Sequence, residues 1–194
     1  RVALMQEPVA AVMSVMRQRN RDGTFLVFDL GGGTLDIAIA QSMKGRVSLL
    51  AHGGVEMCGG REIDRALMNE VVKPWLVDTF DLSDDFVADK RFRSLTRLAT
   101  WAAERAKIEL SRSDEAVIAL SETEIGVRDN ADEEIYLDIP IDRSQLDRLI
   151  DPILEQAIKA ARASLDQAGI SAHDVDRVVF VGGPTQYKPL RDRV

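Results

Sequence analysis

Hydrophobic residues along the chain form strand-like runs separated by helix-like stripes. Residues 24–30 (TFLVFDL) are a continuous apolar run typical of a buried strand, and residues 35–40 then alternate apolar with small or polar residues. Gly31–Thr34 joins these two runs, which predicts an antiparallel hairpin. Further strands are predicted at Val2–Met5, Val47–Ala51, Ile118–Val127, Ile135–Ile139 and Arg177–Val181.

Apolar residues at helical spacing lie between these strands. A helix is predicted from Glu7-Pro8 to Arg19-Asn20, because proline is tolerated in a first turn. A second helical stretch begins at Glu62, and Pro74 is expected to kink it. Further helices are predicted over residues 88–110, from Asp142 to Gly169 with a restart near Asp151-Pro152, and from Pro189. This order of elements predicts an α/β protein with a helical and sheet insertion in its middle.

Composition excludes several classes of protein. The 194 residues carry 32 acidic and 25 basic side chains, and a net charge of −7 argues against nucleic-acid binding. The single cysteine, Cys58, excludes an internal disulfide and a cysteine-rich zinc site, and two histidines exclude a three-histidine metal site. Since no apolar run approaches about 18 residues, we expect a soluble, cytoplasmic protein with no membrane contact. The chain begins without methionine at Arg1, so we expect an excised fragment.

The glycines cluster where a backbone must turn tightly or approach a ligand. Nine of the 13 lie at residues 31–33, 53–54, 59–60 and 182–183. Backbone N–H groups in the first cluster can converge on one anion. Asp29 and Asp36 flank it, so the hairpin places two carboxylates at one rim, a natural site for Mg²⁺, and Thr34 adds a hydroxyl. The alternative is a glycine-rich hairpin whose aspartates only cap turns; the paired aspartates favour the phosphate and metal site.

Four segments in order carry a resemblance to a known family. Residues 28–36 (FDLGGGTLD) resemble the second phosphate-binding motif of the actin/hexokinase-like ATPase superfamily, and most closely that of the DnaK-type heat-shock chaperones. The others are similar to further chaperone motifs: residues 6–11 (QEPVAA) to the connection into a helix, residues 101–111 (WAAERAKIELS) to the adenosine-binding helix, and residues 178–185 (VVFVGGPT) to the adenosine motif. The resemblance covers nearly the whole chain and implies a ribonuclease H-like, actin-type ATPase lobe with an inserted α+β subdomain.

The resemblance implies how ATP or ADP would be held together with Mg²⁺. Asp29 and Asp36 would hold the ion through water molecules, and Glu7 would sit in its outer shell and order the attacking water. The residues in contact with the β- and γ-phosphates would be Gly31, Gly32, Gly33 and Thr34. K⁺ is a further ion that the resemblance allows. Without the resemblance, Glu7 is an ordinary carboxylate favoured by the helix dipole.

The same resemblance implies an adenosine side. Glu104, Lys107 and Ser111 are spaced to share one stripe of a helix and would hydrogen-bond the ribose and adenine. Gly182 and Gly183 would let the backbone pack against the nucleotide. From spacing alone, the glutamate and lysine are an ordinary surface pair.

The resemblance also implies nucleotide contacts from Gly59 and Gly60, at the start of the insertion, and from Gln186, after the last strand. Gly59 and Gly60 mark where the insertion begins. Pro184 stands where the family has a small residue, and Gln186 stands where it has the arginine that packs on adenine. Because Gln186 has no guanidinium plane, we expect weaker stacking on the base and a divergent member of the family.

The resemblance also divides the chain and implies partners. Residues 1–20 would be a connecting strand and helix, residues 21–58 with 151–194 a base subdomain, and residues 59–150 an upper subdomain. The family's first lobe and its substrate-binding domain would lie outside this segment, so we expect weak nucleotide binding and little turnover from it alone. The intact protein would hydrolyse ATP to drive the binding and release of unfolded clients, with a J-domain co-chaperone and a nucleotide exchange factor.

Two other classes share the glycine-rich hairpin. One is an actin-like filament or shape-determining ATPase, and the other is a sugar kinase of the same superfamily. The helix around Glu104 favours the chaperone. Among residues without an assigned role, we expect Trp75 and Trp101 in the core, Cys58 as a small buried hydrophobe, and both histidines in structural or solvent-facing positions.

Overall fold

The chain has the mixed α/β fold expected from its pattern. A computed structural model describes residues 5–16 and 22–194, which form two compact units. The first unit comprises the described residues up to Arg61 together with Pro152–Val194, and the second comprises Glu62–Asp151. The strand predicted at Val2–Met5 and the helix end predicted at Arg19-Asn20 lie outside the described residues.

A four-stranded mixed sheet organises the first unit. Its strands are β1 (Gly23–Leu30), β2 (Thr34–Met43), β3 (Arg46–Glu56) and β6 (Arg177–Val181), in the order β3-β2-β1-β6. β1 and β2 form the predicted antiparallel hairpin, which is therefore confirmed, and β6 pairs with β1 in parallel. β3 continues five residues beyond the predicted end at Ala51, so it includes Gly53 and Gly54.

Helix α1 (Glu7–Met16) packs on this sheet through one side of its surface. Val12 is fully buried against a cluster that includes Phe25, Val27 and Val179. Met13, the next residue along the helix, is 44% exposed. This packing fixes the position of Glu7 at the first turn of α1.

The second unit is mostly helical and contains a two-stranded antiparallel sheet. Its elements are α2 (Gly60–Leu67, which begins in the first unit), a π-helical turn (Met68–Val72), α3 (Lys73–Thr79), α4 (Arg93–Glu109), β4 (Glu115–Leu120), α5 (Glu122–Ile125) and β5 (Leu137–Asp142). The expected irregularity at Pro74 takes the form of the π-helical turn, in which the N–H of Lys73 bonds to the carbonyl of Met68. A widened turn accommodates a proline that has no N–H to donate to the previous turn.

Helix α6 (Arg143–Ala168) is continuous, and the predicted restart at Pro152 is wrong. Its predicted start is confirmed, because Asp142 and Gln145 exchange the two hydrogen bonds of a capping box. Burial explains the continuity, since one apolar stripe runs through the proline. The buried members are Leu146, Ile150, Leu154, Ala157, Ala161 and Leu165. The chain then continues through β6 to α7 (Lys188–Arg193).

Three further predicted elements have wrong boundaries, and one of them is the strand predicted over Ile135–Ile139, which spans Leu137–Asp142. The strand predicted over Ile118–Val127 ends at Leu120, because Ser121 and Glu124 form a capping box that starts α5. The long helix predicted from residue 88 begins at Arg93 and is preceded by two 3₁₀ turns, Phe86–Ala88 and Lys90–Phe92.

The prediction that both tryptophans lie in the core is wrong, since neither is fully buried. Trp75 is half-buried and contacts the ring of Phe80 edge-on. Trp101 is 48% exposed, and the guanidinium carbon of Arg105 lies 4.8 Å from the centre of its ring. Cys58 is fully buried, as expected. Among the described residues, every helix is too short or too polar to cross a membrane.

Candidate functional site

Two aspartates of the β1–β2 hairpin face each other at one end of the sheet. Asp29 in β1 is the direct cross-strand partner of Asp36 in β2. In such pairs the Cβ atoms are about 4.5–5.5 Å apart, so the two carboxylates share one rim. Both line a pocket of about 410 Å³ together with Glu7, from the first turn of α1, and His52, from β3. The hairpin register and the packing of α1 therefore bring three carboxylates to one pocket.

The electrostatics of this pocket disfavour three negative charges. Burial raises the pKa of Asp29 above its ordinary value, and the charges of Glu7 and Asp36 raise it further. On the other side, Nε2 of His52 lies 3.9 Å from Oδ1 of Asp36, with both side chains about half exposed. Within residues 5–16 and 22–194, no group of three or more His, Cys, Asp or Glu side chains is arranged as a metal site. The residues present fit a cation held through its water molecules rather than by a full set of protein ligands.

The carbonyl groups of the loop between β1 and β2 accept hydrogen bonds that hold the loop in place. The N–H of Gly31 bonds to the carbonyl of Thr34 at 2.8 Å, which closes the turn. The carbonyls of Gly31 and Gly32 accept from the N–H groups of Gly60, at 3.0 Å, and Arg61, at 2.7 Å. In the described part of the chain, the N–H groups of Gly32 and Gly33 donate to no other residue. The loop thus has backbone donors left for an anion, beside the two aspartates.

Close backbone approach explains two of the clustered glycines. A Cβ atom on Gly59 would lie 2.7–2.8 Å from backbone atoms of residues 31–33, so only glycine permits this contact. Gly182 has a φ of +91°, and a Cβ atom there would lie 2.0 Å from the carbonyl oxygen of Leu30, at the end of β1. Both glycines therefore hold neighbouring segments against the hairpin.

Past Gly182, the chain turns away from β6 through a short 3₁₀ helix, Gly183–Gln186. The buried Thr185 donates its hydroxyl hydrogen to the carbonyl of Gly182 at 2.7 Å. Gly183 and Gln186 are exposed. This turn leaves the backbone of Gly183 and the side chain of Gln186 accessible in the first unit.

Comparison with known families decides what kind of chain carries this hairpin. The family model described as Hsp70 protein matches residues 2–194. The chain belongs to the Hsp70 family. The resemblance inferred from the four motifs is confirmed, and the filament and sugar-kinase alternatives lose their support.

Similar curated proteins include a chaperone protein DnaK of Methanothermobacter thermautotrophicus, 34% identical over 187 residues, which cover 95% of the chain and 30% of that protein. A mitochondrial heat shock 70 kDa protein of Pisum sativum is 34% identical over 195 residues, which cover 98% of the chain and 27% of that protein. A chaperone protein dnaK of Cyanidioschyzon merolae is 32% identical over 191 residues, which cover 98% of the chain and 30% of that protein. The Hsp70 chain thus spans less than a third of the length of these relatives.

In the second unit of this Hsp70 chain, the predicted adenosine residues do not share one helical stripe. Helix α4 ends at Glu109, so Ser111 lies in the turn after it, where its hydroxyl donates to the carbonyl of Ile108 at 2.6 Å. Glu104 and Lys107 do lie on α4, with Glu104 exposed. Lys107 contacts Asp64 of α2, with 2.5 Å between Nζ and Oδ1 and side chains only 14% and 8% exposed. The lysine is thus part of a buried ion pair.

Sequence reasoning missed two charged residues of this Hsp70 chain. Asp64 was missed because its partner lies 43 positions away. Arg61 was also missed, although it follows Gly59-Gly60 directly; its Nε donates to the carbonyl of Gly32 at 3.3 Å. The sequence signal that could have found Arg61 was a basic residue directly after a glycine cluster.

Proposed function

We propose that the first unit binds the phosphates of ATP or ADP together with Mg²⁺. The observation that carries this proposal is the placement of Asp29 opposite Asp36, beside a loop whose Gly32 and Gly33 N–H groups have no partner among the described residues. Backbone donors suit phosphate oxygens, and carboxylates suit the hydrated ion that accompanies them. The raised pKa of Asp29 supports the same conclusion, because a cation would relieve the repulsion that raises it.

The residues then have distinct functions. Mg²⁺, when bound, neutralises charge on the phosphate oxygens. Asp29 and Asp36 would fix its water molecules, and Thr34 would donate its hydroxyl hydrogen to a phosphate oxygen. Glu7 would orient the water that attacks the γ-phosphate. Phosphoryl transfer depends on such positioning and electrostatic stabilisation.

We extend the proposal to the whole protein from its family. The intact protein would be a cytoplasmic molecular chaperone that hydrolyses ATP to drive client binding and release, assisted by a J-domain co-chaperone and a nucleotide exchange factor. The base subdomain would comprise residues 21–58 and 151–194, and the inserted subdomain residues 59–150. The adenosine-side contacts belong to this proposal as well, and they are assigned to Glu104, Lys107, Ser111, Gly182, Gly183 and Gln186. The 194-residue segment alone would bind nucleotide weakly and turn over little.

The decisive experiment measures how strongly ADP binding depends on Mg²⁺. In the natural full-length protein, Asp29→Asn keeps the shape of the side chain and removes its charge. We expect the gain in ADP affinity on adding Mg²⁺, measured by calorimetry, to fall at least about tenfold, which corresponds to about 1.4 kcal/mol. ATP turnover should fall with it, while the melting temperature of the protein stays at or above the wild-type value.

Asp166→Asn is the matched control, since Asp166 is an exposed aspartate on α6 in the same unit. It should leave both quantities unchanged. An unaltered Mg²⁺ dependence in Asp29→Asn would remove the metal assignment. Tight ADP binding or steady phosphate release by residues 1–194 alone would contradict the claim that the segment needs the rest of the protein.

A further inference from the structure

Arg61 is held against the glycine loop through a single carbonyl group. Its backbone N–H donates to the oxygen of Gly32 at 2.7 Å, and its side-chain Nε donates to the same oxygen at 3.3 Å. The guanidinium lies over Gly33, because a Cβ atom on that glycine would be only 2.0 Å from Nη2. The side chain therefore extends along the loop rather than away from the protein.

The charge of Arg61 is not neutralised by the rest of the described chain. None of the ion pairs among the described residues includes it, whereas Arg65, one turn later on α2, pairs with Glu62 at 3.6 Å. Since Nε is bound to Gly32, the two terminal nitrogens keep four N–H donors. Arg61 is also exposed, so it reaches a ligand without first leaving a buried partner.

A guanidinium fork in this position completes an anion site. The neighbouring N–H groups of Gly32 and Gly33 supply backbone donors without a described partner, and the fork matches two oxygens of a phosphate group. The flanking aspartates alone would repel a phosphate, so the positive charge of Arg61 beside the loop offsets part of that repulsion.

We propose that Arg61 binds the β- or γ-phosphate of the nucleotide through paired hydrogen bonds from its terminal nitrogens. This inference rests on the proposed nucleotide-binding function and adds to it a residue that sets affinity for the phosphate chain. The alternative is that Arg61 only braces the loop through Gly32. If Arg61 only braces the loop, its removal lowers the stability of the protein. If Arg61 contacts a phosphate, its removal lowers the affinity for ADP and ATP more than the affinity for AMP.

The test compares AMP, ADP and ATP binding to the natural full-length protein and its Arg61→Ala variant by calorimetry with Mg²⁺. We expect ADP and ATP affinity to fall about tenfold to a hundredfold, the range for a charge-assisted hydrogen bond, and AMP affinity to change less than about twofold. Arg61→Lys keeps the charge but loses the fork, so its loss of ADP affinity should be intermediate. Arg162→Ala, an exposed arginine of α6 in the same unit, is the control and should bind all three nucleotides like the wild type.

The outcomes separate the two proposals. Normal wild-type binding, with Arg61→Ala losing less than about threefold for ADP or losing ADP and AMP equally, would overturn the role of Arg61 and leave the proposed function intact. Failure of the wild type to bind any of the three nucleotides would overturn the proposed function and this inference with it. The backbone hydrogen bond from residue 61 to Gly32 is kept in both variants. If Arg61→Ala also lowers the melting temperature, Arg61→Lys provides the test. An intermediate loss of ADP affinity in Arg61→Lys supports the phosphate contact, and no loss overturns it.

Discussion

The buried ion pair between Lys107 and Asp64 predicts a large, pH-dependent loss of stability when only the lysine is removed. Burial raises the pKa of Asp64, even though the hydrogen bond and charge of Lys107 lower it. The charges of Glu104 and Glu62 raise it further. In Lys107→Met, the carboxylate would stay buried at neutral pH without its ammonium partner.

The expected magnitude follows from that burial. Removing one partner of a buried pair costs about 3–5 kcal/mol. With a urea dependence of about 2 kcal/mol per molar, the unfolding midpoint should fall by about 1.5–2.5 M. A double variant, Asp64→Leu with Lys107→Met, should recover most of this loss, because no charge is then left buried.

The pH dependence has a definite sign. A carboxyl group whose pKa is raised in the folded state binds more protons when folded, so stability falls as pH rises through the window between its ordinary and its raised pKa. Without Lys107 that window extends further upward. The penalty of Lys107→Met should therefore be largest at neutral pH and shrink as the solution is acidified toward the ordinary aspartate range.

The protein supplies its own probe for the assay. Both tryptophans, Trp75 and Trp101, lie in the second unit with the ion pair, so their fluorescence reports that unit during urea unfolding. Lys90→Met, an exposed lysine of the same unit, is the control and should shift stability by under about 0.5 kcal/mol. A loss below about 1 kcal/mol in Lys107→Met, or a double variant no more stable than the single one, would refute the reasoning.

Two further variants test the supports of the hairpin and of a loop. Gly182→Ala forces a side chain into a backbone conformation at φ +91° and onto the carbonyl of β1, so we expect a loss of at least about 3 kcal/mol in thermal unfolding. Gly183→Ala, with no atom within 4 Å of the new Cβ, should be near neutral, and equal losses in both would contradict this assignment. Burial raises the pKa of Asp129, but bonds from the N–H groups of Glu133, Asp81 and Ala131 outweigh it, so the pKa is lowered. This contribution is fully present above the ordinary aspartate pKa and is lost progressively as pH falls from there through the lowered pKa. Asp129→Ala should therefore speed amide exchange in its loop at pH 7 much more than at pH 3, and equal acceleration at both would contradict the role of its charge.

Local patterns predicted the part of the fold that local contacts build. The β1–β2 hairpin follows from an apolar run, a glycine-rich turn and an alternating run, and its register alone puts Asp29 opposite Asp36. The pairing of β6 with β1 depends on residues far apart in the chain, for which periodicity carries no information.

Elsewhere, tertiary contacts or short-range hydrogen bonds overrode the pattern. Pro152 predicted a break, but burial along α6 keeps the helix whole. Ser121 ends β4 early because its capping bonds favour a helical turn over a continued strand. Trp101 lies at a helical spacing typical of a core residue yet is exposed, since periodicity does not identify which side of a helix is covered.

The division of the first unit into two chain segments has a consequence for folding during synthesis. β1, β2 and β3 emerge early, yet the other edge of β1 has no partner until β6 is made; the N–H of Thr24 bonds to Asp176, 152 positions later. The second unit is one continuous segment and can fold in the interval. On the ribosome, the hairpin that carries both aspartates therefore waits with one open strand edge, and an open edge can pair with the wrong strand.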